Sequence, residues 1–265
     1  MTVGAPTETA DVPPVADQWD DHWQEYQESA RRNPAQDFRR RLVLFHLRRC
    51  ARAAAPLRVL DVGAGTGDFA EALRRRFPAG AFLGLEKSAT GVEIARGKVP
   101  DAAFLVADLL EPQSPNPPFR GWATVVVCTE VLEHVDEPPR LLENVKPYLA
   151  PGARLIVTVP GGPMSDYDRH LGHRRHFSRA SLRAVLENAG FLVEDVWGAG
   201  TPFFNLYRLV IIARGPRLVR EAAGAPGPVA DLAMRLFGLL FRLNRYRSRH
   251  GWQIVGVARH RGTTT

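Results

Sequence analysis

Between residues 57 and 197, short apolar runs alternate with segments of helical period. LRVLDV (57–62), AFLGLE (81–86), AAFLVA (102–107), ATVVVCT (123–129), ARLIVTVP (153–160) and FLVEDVW (191–197) read as buried strands. Helices are predicted over 68–77, where Pro78 ends the run, and over 88–97. Another is predicted over 138–149, stopped at Pro151-Gly152. A fourth covers 178–190, with Ser178 as N-cap and Gly190 just past its end. Strands alternating with helices need crossover connections. The expected architecture is therefore α/β, with a mostly parallel sheet covered by helices on both faces.

The flanks depart from this alternation. Residues 1–17 carry no periodicity and read as a disordered tail. Over 18–32, Trp19, Trp23 and Tyr26 fall at i, i+4 and i+7, one helical stripe. A basic helix follows over 36–53, with Phe38, Leu42, Phe45 and Cys50 among arginines. Residues 203–248 read as mostly helical, and WQIVGVARH (252–260) as a final strand. The expected organisation is one domain over 18–265. Residues 18–54 form an N-terminal helical cap, and 200–250 a helical lid inserted before the last strand. No internal repeat of roughly 20–50 residues occurs.

Composition narrows the class. Hydrophobic residues make up 45% and charged residues 24% of 265, which excludes wholesale disorder. No apolar run reaches the ~18 residues of a membrane helix. The N-terminus lacks the basic and apolar parts of a secretory signal, so a cytoplasmic location is expected. Cys50 and Cys128 suggest neither a disulfide framework nor a CxxC metal site. The net charge of +7 attracts anions of any kind: nucleic acid, membrane surface or phosphorylated metabolites. A genome rich in G and C, which favours Arg, Ala, Gly and Pro codons, accounts for the same excess.

The strongest chemical signal is VLDVGAGTGDFA (59–70). A strand ends at Asp61 and Val62, and Gly63, Gly65 and Gly67 form a tight turn into a helix. Glycine is needed where backbone takes positive φ or approaches a ligand without an intervening Cβ. Open α/β sheets bind ligands at this edge. A dinucleotide site reads GxGxxG, whereas this turn reads GxGxG between Asp61 and Asp68. Two carboxylates would repel a pyrophosphate and suit a cationic ligand, such as an ammonium or a sulfonium. Glu86, ending the second strand beside Lys87, can accept both hydroxyls of a ribose. Asp108, after the third strand, can accept from an adenine amine. Either of these two acids could also be an ordinary helix N-cap.

The succession GAGTGDFA, GLEKS, VADLLE, VVVCTEVLEHV and LAPGARLIVTVP resembles the class I S-adenosylmethionine-dependent methyltransferases. The resemblance implies a Rossmann-like seven-stranded sheet with its last strand antiparallel, and S-adenosylmethionine as cofactor. It implies that Gly63, Ala64, Gly65 and Gly67 wrap the methionine part. Glu86 would hold the ribose, with Lys87 beside it in the cofactor-binding set, Asp108 and Leu109 the adenine, and Cys128 and Thr129 the methionine side through backbone.

After the fourth strand comes Glu130-Val-Leu-Glu133-His134. A helical turn there would put Glu130, Glu133 and His134 on one face, a ligand set suited to Mg²⁺, Mn²⁺ or Zn²⁺. After the fifth strand, residues 168–177 carry His170, His173, His176 and the Arg174–Arg175 pair. ExxEH with a later GHxRxF-like histidine is similar to metal-dependent small-RNA 2′-O-methyltransferases. ExxEH alone is similar to ubiquinone-pathway O-methyltransferases. By that resemblance Glu130, Glu133, His134 and His173 would hold a divalent ion such as Mg²⁺ against the acceptor oxygen. In the metal-free alternative, His173 or His134 is the general base, Glu130 approaches cofactor or substrate, and the two arginines bind an anionic substrate group or stand in solvent.

Two aromatic segments are candidates for a substrate lid: the stripe of Trp19, Trp23 and Tyr26, and residues 200–248. In the second, Phe203, Phe204, Tyr207, Leu236, Phe237, Leu240 and Phe241 line an apolar pocket or cover one sheet face. The same segment, with Arg235, Arg242, Arg245, Arg247 and Arg249, has the make-up of a peripheral membrane contact. The functional expectation is methyl transfer to an O or C nucleophile of a small, partly hydrophobic metabolite, as in natural product biosynthesis. The rivals are an RNA methyltransferase and a cofactor-binding scaffold that does not methylate. The lack of a recognisable RNA-binding module weighs against nucleic acid.

Overall fold

The computed structural model describes residues 19–20, 23, 33–50, 56–114, 116–222 and 227–262; at 216–222, 228 and 229 it describes the backbone alone. Helix α1 (Pro34–Cys50) precedes β1 (Arg58–Val62), α2 (Asp68–Arg76), β2 (Ala81–Glu86), α3 (Ala89–Lys98) and β3 (Ala103–Val106). The chain then returns through β4 (Ala123–Thr129), α4 (Pro138–Val145), β5 (Leu149–Pro160), α5 (Asp166–His170) and α6 (Arg179–Asn188). It ends with β6 (Leu192–Ala199), α7 (Phe203–Ala222), α8 (Pro228–Leu240) and β7 (Gln253–Arg259).

The strands form one sheet in the order β3-β2-β1-β4-β5-β7-β6. Strands β1 to β5 pair in parallel, and β7 runs antiparallel between β5 and β6. Strand order reverses between β1 and β4. The crevice beyond their carboxyl ends is thus the switch point at which such sheets take ligands.

Each face has its own core. On one face Leu60, Val126, Leu155 and Ala258 pack under Leu141, Leu142, Leu182 and Leu186 of α4 and α6. On the other, Val59, Val127, Ile156 and Val255 meet Phe38 and Leu42 of α1, Phe204 of α7, and Phe241. Phe38 stands 5.3 Å from Phe204 and 5.8 Å from Phe241, ring to ring. Phe203, Phe204, Tyr207, Phe237 and Phe241 therefore belong to this core or pack against it, rather than lining a pocket. Leu236 points outward.

The predicted elements occur with shifted ends. The helix expected over 138–149 stops at Val145 and tightens into a 3₁₀ turn over Lys146–Tyr148, where Pro147 has no N–H to donate. Pro151-Gly152, read as a break, lies inside β5, with Gly152 at φ 73°. A register shift between Ala123 and Val125 of β4 absorbs the irregularity. The helical stretch of 203–248 ends at Leu243. Arg245 and Ser248 then bridge to Thr201 and Gly198. Asn244 explains the stop, because its Oδ1 accepts from the Phe203 and Phe204 amides that open α7. Trp19, Asp20 and Trp23 are helical. Tyr26, the tail 1–17 and the end of the cap, 51–55, lie outside the described residues.

Ser178 caps α6 by accepting from Ser181 N at 3.0 Å, and Gly190 follows the helix at φ 76°. Ser178→Ala is expected to cost about 1 kcal/mol. Chemical denaturation would read this as a lower midpoint at unchanged slope.

Candidate functional site

Gly63, Gly65 and Gly67 all take positive φ, 72°, 52° and 77°, as the chain turns from β1 into α2. At Gly65 the close approach is visible. A Cβ there would come within 2.9 Å of the Trp23 ring. At Gly63 it would collide with Val131, so the loop also packs against the turn after β4. Gly65 N donates to Glu86 Oε2 at 2.8 Å, and Ser88 N donates to Oε1 at 2.9 Å. Glu86 thus ties the glycine turn to the end of β2. It is buried, and burial raises its carboxyl above the ordinary range despite these bonds.

Asp61 lies beneath the same turn. Burial, followed by the neighbouring Glu86 charge, pushes its carboxyl up to about 8. Its Oδ1 is buried without a hydrogen-bond partner among the described residues. A buried acceptor with nothing to accept is costly. A cationic donor delivered to this spot would satisfy it. Asp68, the second acid of the motif, is already neutralised by Lys98 Nζ at 2.6 Å.

The other positions sit around this pair. Asp108 accepts from Leu110 N at 2.9 Å and pairs with Lys87 Nζ at 3.0 Å, at the rim after β3. Leu109 and Cys128 are buried in the core. Burial raises the Cys128 thiol well above its usual value, so Cys128 offers the crevice backbone only. Thr129 closes β4 opposite Thr158. Ala64 packs in a small cluster with Val92, Ala95 and Phe104.

After β4 the chain does not make the α-helical turn expected of EVLEH. Glu130 sits at φ 56°, and a 3₁₀ turn runs over Leu132–His134. Glu130 is consequently turned aside. Its carboxylate pairs with Arg39 Nη2 at 3.0 Å and accepts from Thr158 Oγ1 at 3.0 Å and Gln253 Nε2 at 2.7 Å. The structure instead brings Glu133, His134 and His173 together, with one potential ligand atom of each within 4.8 Å of the others. Glu133 is fully buried, and neither of its oxygens has a hydrogen-bond partner among the described residues. Burial and the Glu130 charge raise its carboxyl well above the ordinary value.

A chain of imidazoles leads away from this point. The His134 and His173 rings are 4.8 Å apart, edge to face. His173 Nδ1 lies 3.2 Å from His176 Nε2, and His176 Nδ1 lies 3.1 Å from Gly162 O. Burial, then the neighbouring His134, holds His173 far below its usual value, so it is neutral at physiological pH. His170 is not part of the cluster. Asp168 anchors the loop. Burial alone would raise its carboxyl, but bidentate bonds from Arg208 at 2.7 and 2.6 Å and bonds from Ser165 hold it well below its usual range.

Arg174 and Arg175 turn to Asp136 instead of an open anion site. Arg39, Ser165, Arg208 and Gln253 were not anticipated from sequence. A lone arginine inside the apolar stretch FFNLYRLVII was the one available sign, since a buried guanidinium needs an acid.

The aromatic stripe spans both halves of the crevice. Trp23 lies on Gly65 and Gly91, and its side chain interacts with Glu86. Trp19 stands 6.4 Å from Trp23 and 5.0 Å from His134. Asp20 Oδ1 accepts from Ser88 Oγ and, at 3.1 Å, from Thr90 N. The glycine turn and the histidine pair thus face one cleft beneath two indoles.

A family model described as a methyltransferase domain matches residues 26–196, more than half of the chain. Trans-aconitate 2-methyltransferase of Methylobacterium nodulans is 36% identical over 107 residues, 40% of this chain. The chain matches only 40% of that relative's length. Ubiquinone biosynthesis O-methyltransferase of Aeromonas salmonicida is 26% identical over 172 residues, covering 57% of this chain and 70% of that protein. Among solved structures, phosphoethanolamine N-methyltransferase 2 of Haemonchus contortus in complex with S-adenosyl-L-methionine aligns with a TM-score of 0.53 and 15% identity. That alignment covers 83% of this chain and 52% of the other.

Proposed function

Because the chain belongs to the class I S-adenosylmethionine-dependent methyltransferases, we propose that it methylates an oxygen or carbon of a small, partly hydrophobic metabolite. The observation that carries this reading is the buried Asp61 carboxyl, its Oδ1 without a hydrogen-bond partner among the described residues, beside Glu86 under a three-glycine turn. Those residues fit S-adenosylmethionine. Asp61 would take its ammonium, Glu86 its ribose hydroxyls, Asp108 its adenine amine, and Gly63, Ala64, Gly65 and Gly67 would leave room for its chain. The bound cofactor supplies a methyl group on a cationic sulfur, poised for in-line displacement.

The protein's part is then alignment, exclusion of water and, for a hydroxyl or C–H acceptor though not for a carboxylate, handling of one proton. Trp19 and Trp23 cover the crevice and keep water from it. Neutral His173 accepts a hydrogen bond from an acceptor hydroxyl and, weak base though burial makes it, takes the proton as the oxygen bonds to the methyl carbon, the sulfur departs and the O–H becomes strongly acidic. Asp168, 3.8 Å from His176, stabilises positive charge developing along the imidazole chain. A carbon nucleophile would use the same alignment and give up its proton after the new C–C bond has formed, to the same imidazole or to water. His173→Ala is expected to lower kcat about 100-fold on a hydroxyl acceptor and leave the cofactor Kd nearly unchanged. The reverse pattern in steady-state kinetics and calorimetry would reduce His173 to a structural role.

The product to follow is S-adenosylhomocysteine, assayed across hydroxy acids, unsaturated carboxylic acids, phenols and prenylated quinols. Turnover with members of this panel supports the proposal. Tight cofactor binding with no product from any acceptor would favour a scaffold that does not methylate. One observation favours a second reading. Glu133, His134 and His173 offer a carboxylate and two imidazoles to a divalent ion, and both buried oxygens of Glu133 lack a hydrogen-bond partner among the described residues. On the first reading turnover persists in EDTA. On the second it is lost, and it returns with Mg²⁺, Mn²⁺ or Zn²⁺.

A further inference from the structure

Helix α8 is apolar on two opposite sides. Phe237 faces inward, 5.2 Å from Tyr207 of α7 and 5.9 Å from Phe241. On the other side Leu232, Leu236 and Leu239 stand 68%, 55% and 59% exposed. At 3.6 residues per turn, these three fall within about 60° of one line along the helix. Leu243, in the 3₁₀ turn that follows, is exposed as well. Helix α7 repeats the arrangement. Phe204, Arg208 and Ile211 are buried, whereas Leu206, Leu209 and Val210 are exposed. A helix apolar on two sides, with one of them buried, leaves the second to be covered by something else.

The charge beside these leucines says what that something is. Arg235 lies about 40° from Leu239 around the helix, and Arg242 follows it by two turns. Both are exposed, as are Arg245 and Arg249. Arg235 is shared with Asp231 at 2.9 Å. Arg247 pairs with Asp195 at 2.6 Å and lies over Trp197, so it points to the body of the protein. Leucines flanked by arginines on one outward face are the composition of a helix lying in the plane of an anionic bilayer surface. A second copy packed through an antiparallel α8 pair would set one row of arginines against the other. No helix is long and apolar enough to cross a membrane among the described residues, so the contact is peripheral.

We infer that the outward face of α7 and α8 docks the protein on an anionic lipid surface, with Leu232, Leu236, Leu239 and Leu243 inserted and Arg235 and Arg242 at the headgroups. This goes beyond the proposed methyl transfer and does not depend on it.

The test is co-sedimentation of the full chain with sonicated vesicles, either pure phosphatidylcholine or phosphatidylcholine with about one third phosphatidylglycerol. The expected result is binding to the anionic vesicles that weakens with added salt, and little binding to the neutral ones. Leu236→Ser with Leu239→Ser should cut binding at least tenfold, and Arg242→Glu roughly fivefold. Because these side chains are exposed, the thermal midpoint of each variant should stay within about 2 °C of the parent. Three results would overturn the inference. One is a parent protein that stays in the supernatant with anionic vesicles. Another is a pair of serine substitutions that bind as well as the parent. The third is a leucine-dependent dimer in analytical ultracentrifugation with no lipid binding, which would assign the face to a second copy.

Discussion

Replacing Asp61 by asparagine is expected to weaken S-adenosylmethionine binding about 30- to 100-fold at pH 8 while making the cofactor-free protein more stable. Both effects come from one buried carboxyl. Its value of about 8, against 3.8 for the free side chain, means that the folded protein holds a proton the unfolded chain releases. Stability therefore falls as pH rises from about 4 to about 8, and asparagine removes that fall. The gain at pH 8 should be at least about 2 kcal/mol, or roughly 5 °C in midpoint.

Binding has the opposite dependence. A cationic ligand needs Asp61 ionised, so affinity of the parent should rise roughly tenfold from pH 6 to pH 7 and flatten near pH 8. Asp61→Asn should lose that slope. Calorimetry against pH, with thermal unfolding of the same samples, reads both effects. Affinity unchanged in the variant would remove the ammonium from this site.

Gly65→Val is expected to abolish measurable cofactor binding, a loss of at least about 100-fold, with a smaller loss of stability. The backbone at Gly65 has φ 52°, a conformation a β-branched residue avoids. Strain of this kind costs about 1–3 kcal/mol. A side chain there would also occupy the face on which Trp23 lies, 2.9 Å from its ring. The turn must shift to relieve both conflicts, and the shift breaks the 2.8 Å bond from Gly65 N to Glu86. Calorimetric affinity within threefold of the parent would show that this turn does not cradle the cofactor.

The parts of this protein that were legible in sequence are those written in local rules. Alternating apolar runs revealed the strands, and Ser178 with Gly190 marked the ends of α6. The GxGxG turn announced itself because its three glycines answer to positive φ in three consecutive odd positions. What stayed hidden depends on contacts distant in the chain. Glu130 read as the first member of a helical face, but Arg39 and Gln253, from α1 and β7, draw it away. Arg174 and Arg175 read as an anion site or a solvated loop, whereas Asp136 from another loop engages both. Arg208 was passed over although it anchors Asp168 and, through it, the histidine loop. The division of the aromatic residues over 203–241 between core and surface is set by a contact distant in the chain, because Phe38 of α1 packs against both Phe204 and Phe241.

The central claim is that a sulfonium nucleoside lodges beyond the carboxyl ends of β1 and β2, its ammonium at Asp61 and its ribose at Glu86. A crystal structure of the protein grown with S-adenosylhomocysteine tests this most directly. The account predicts the amino group within about 3.2 Å of an Asp61 oxygen and both ribose hydroxyls within the same distance of Glu86. Density for the nucleoside elsewhere, or a crevice that stays empty at saturating ligand, would contradict it.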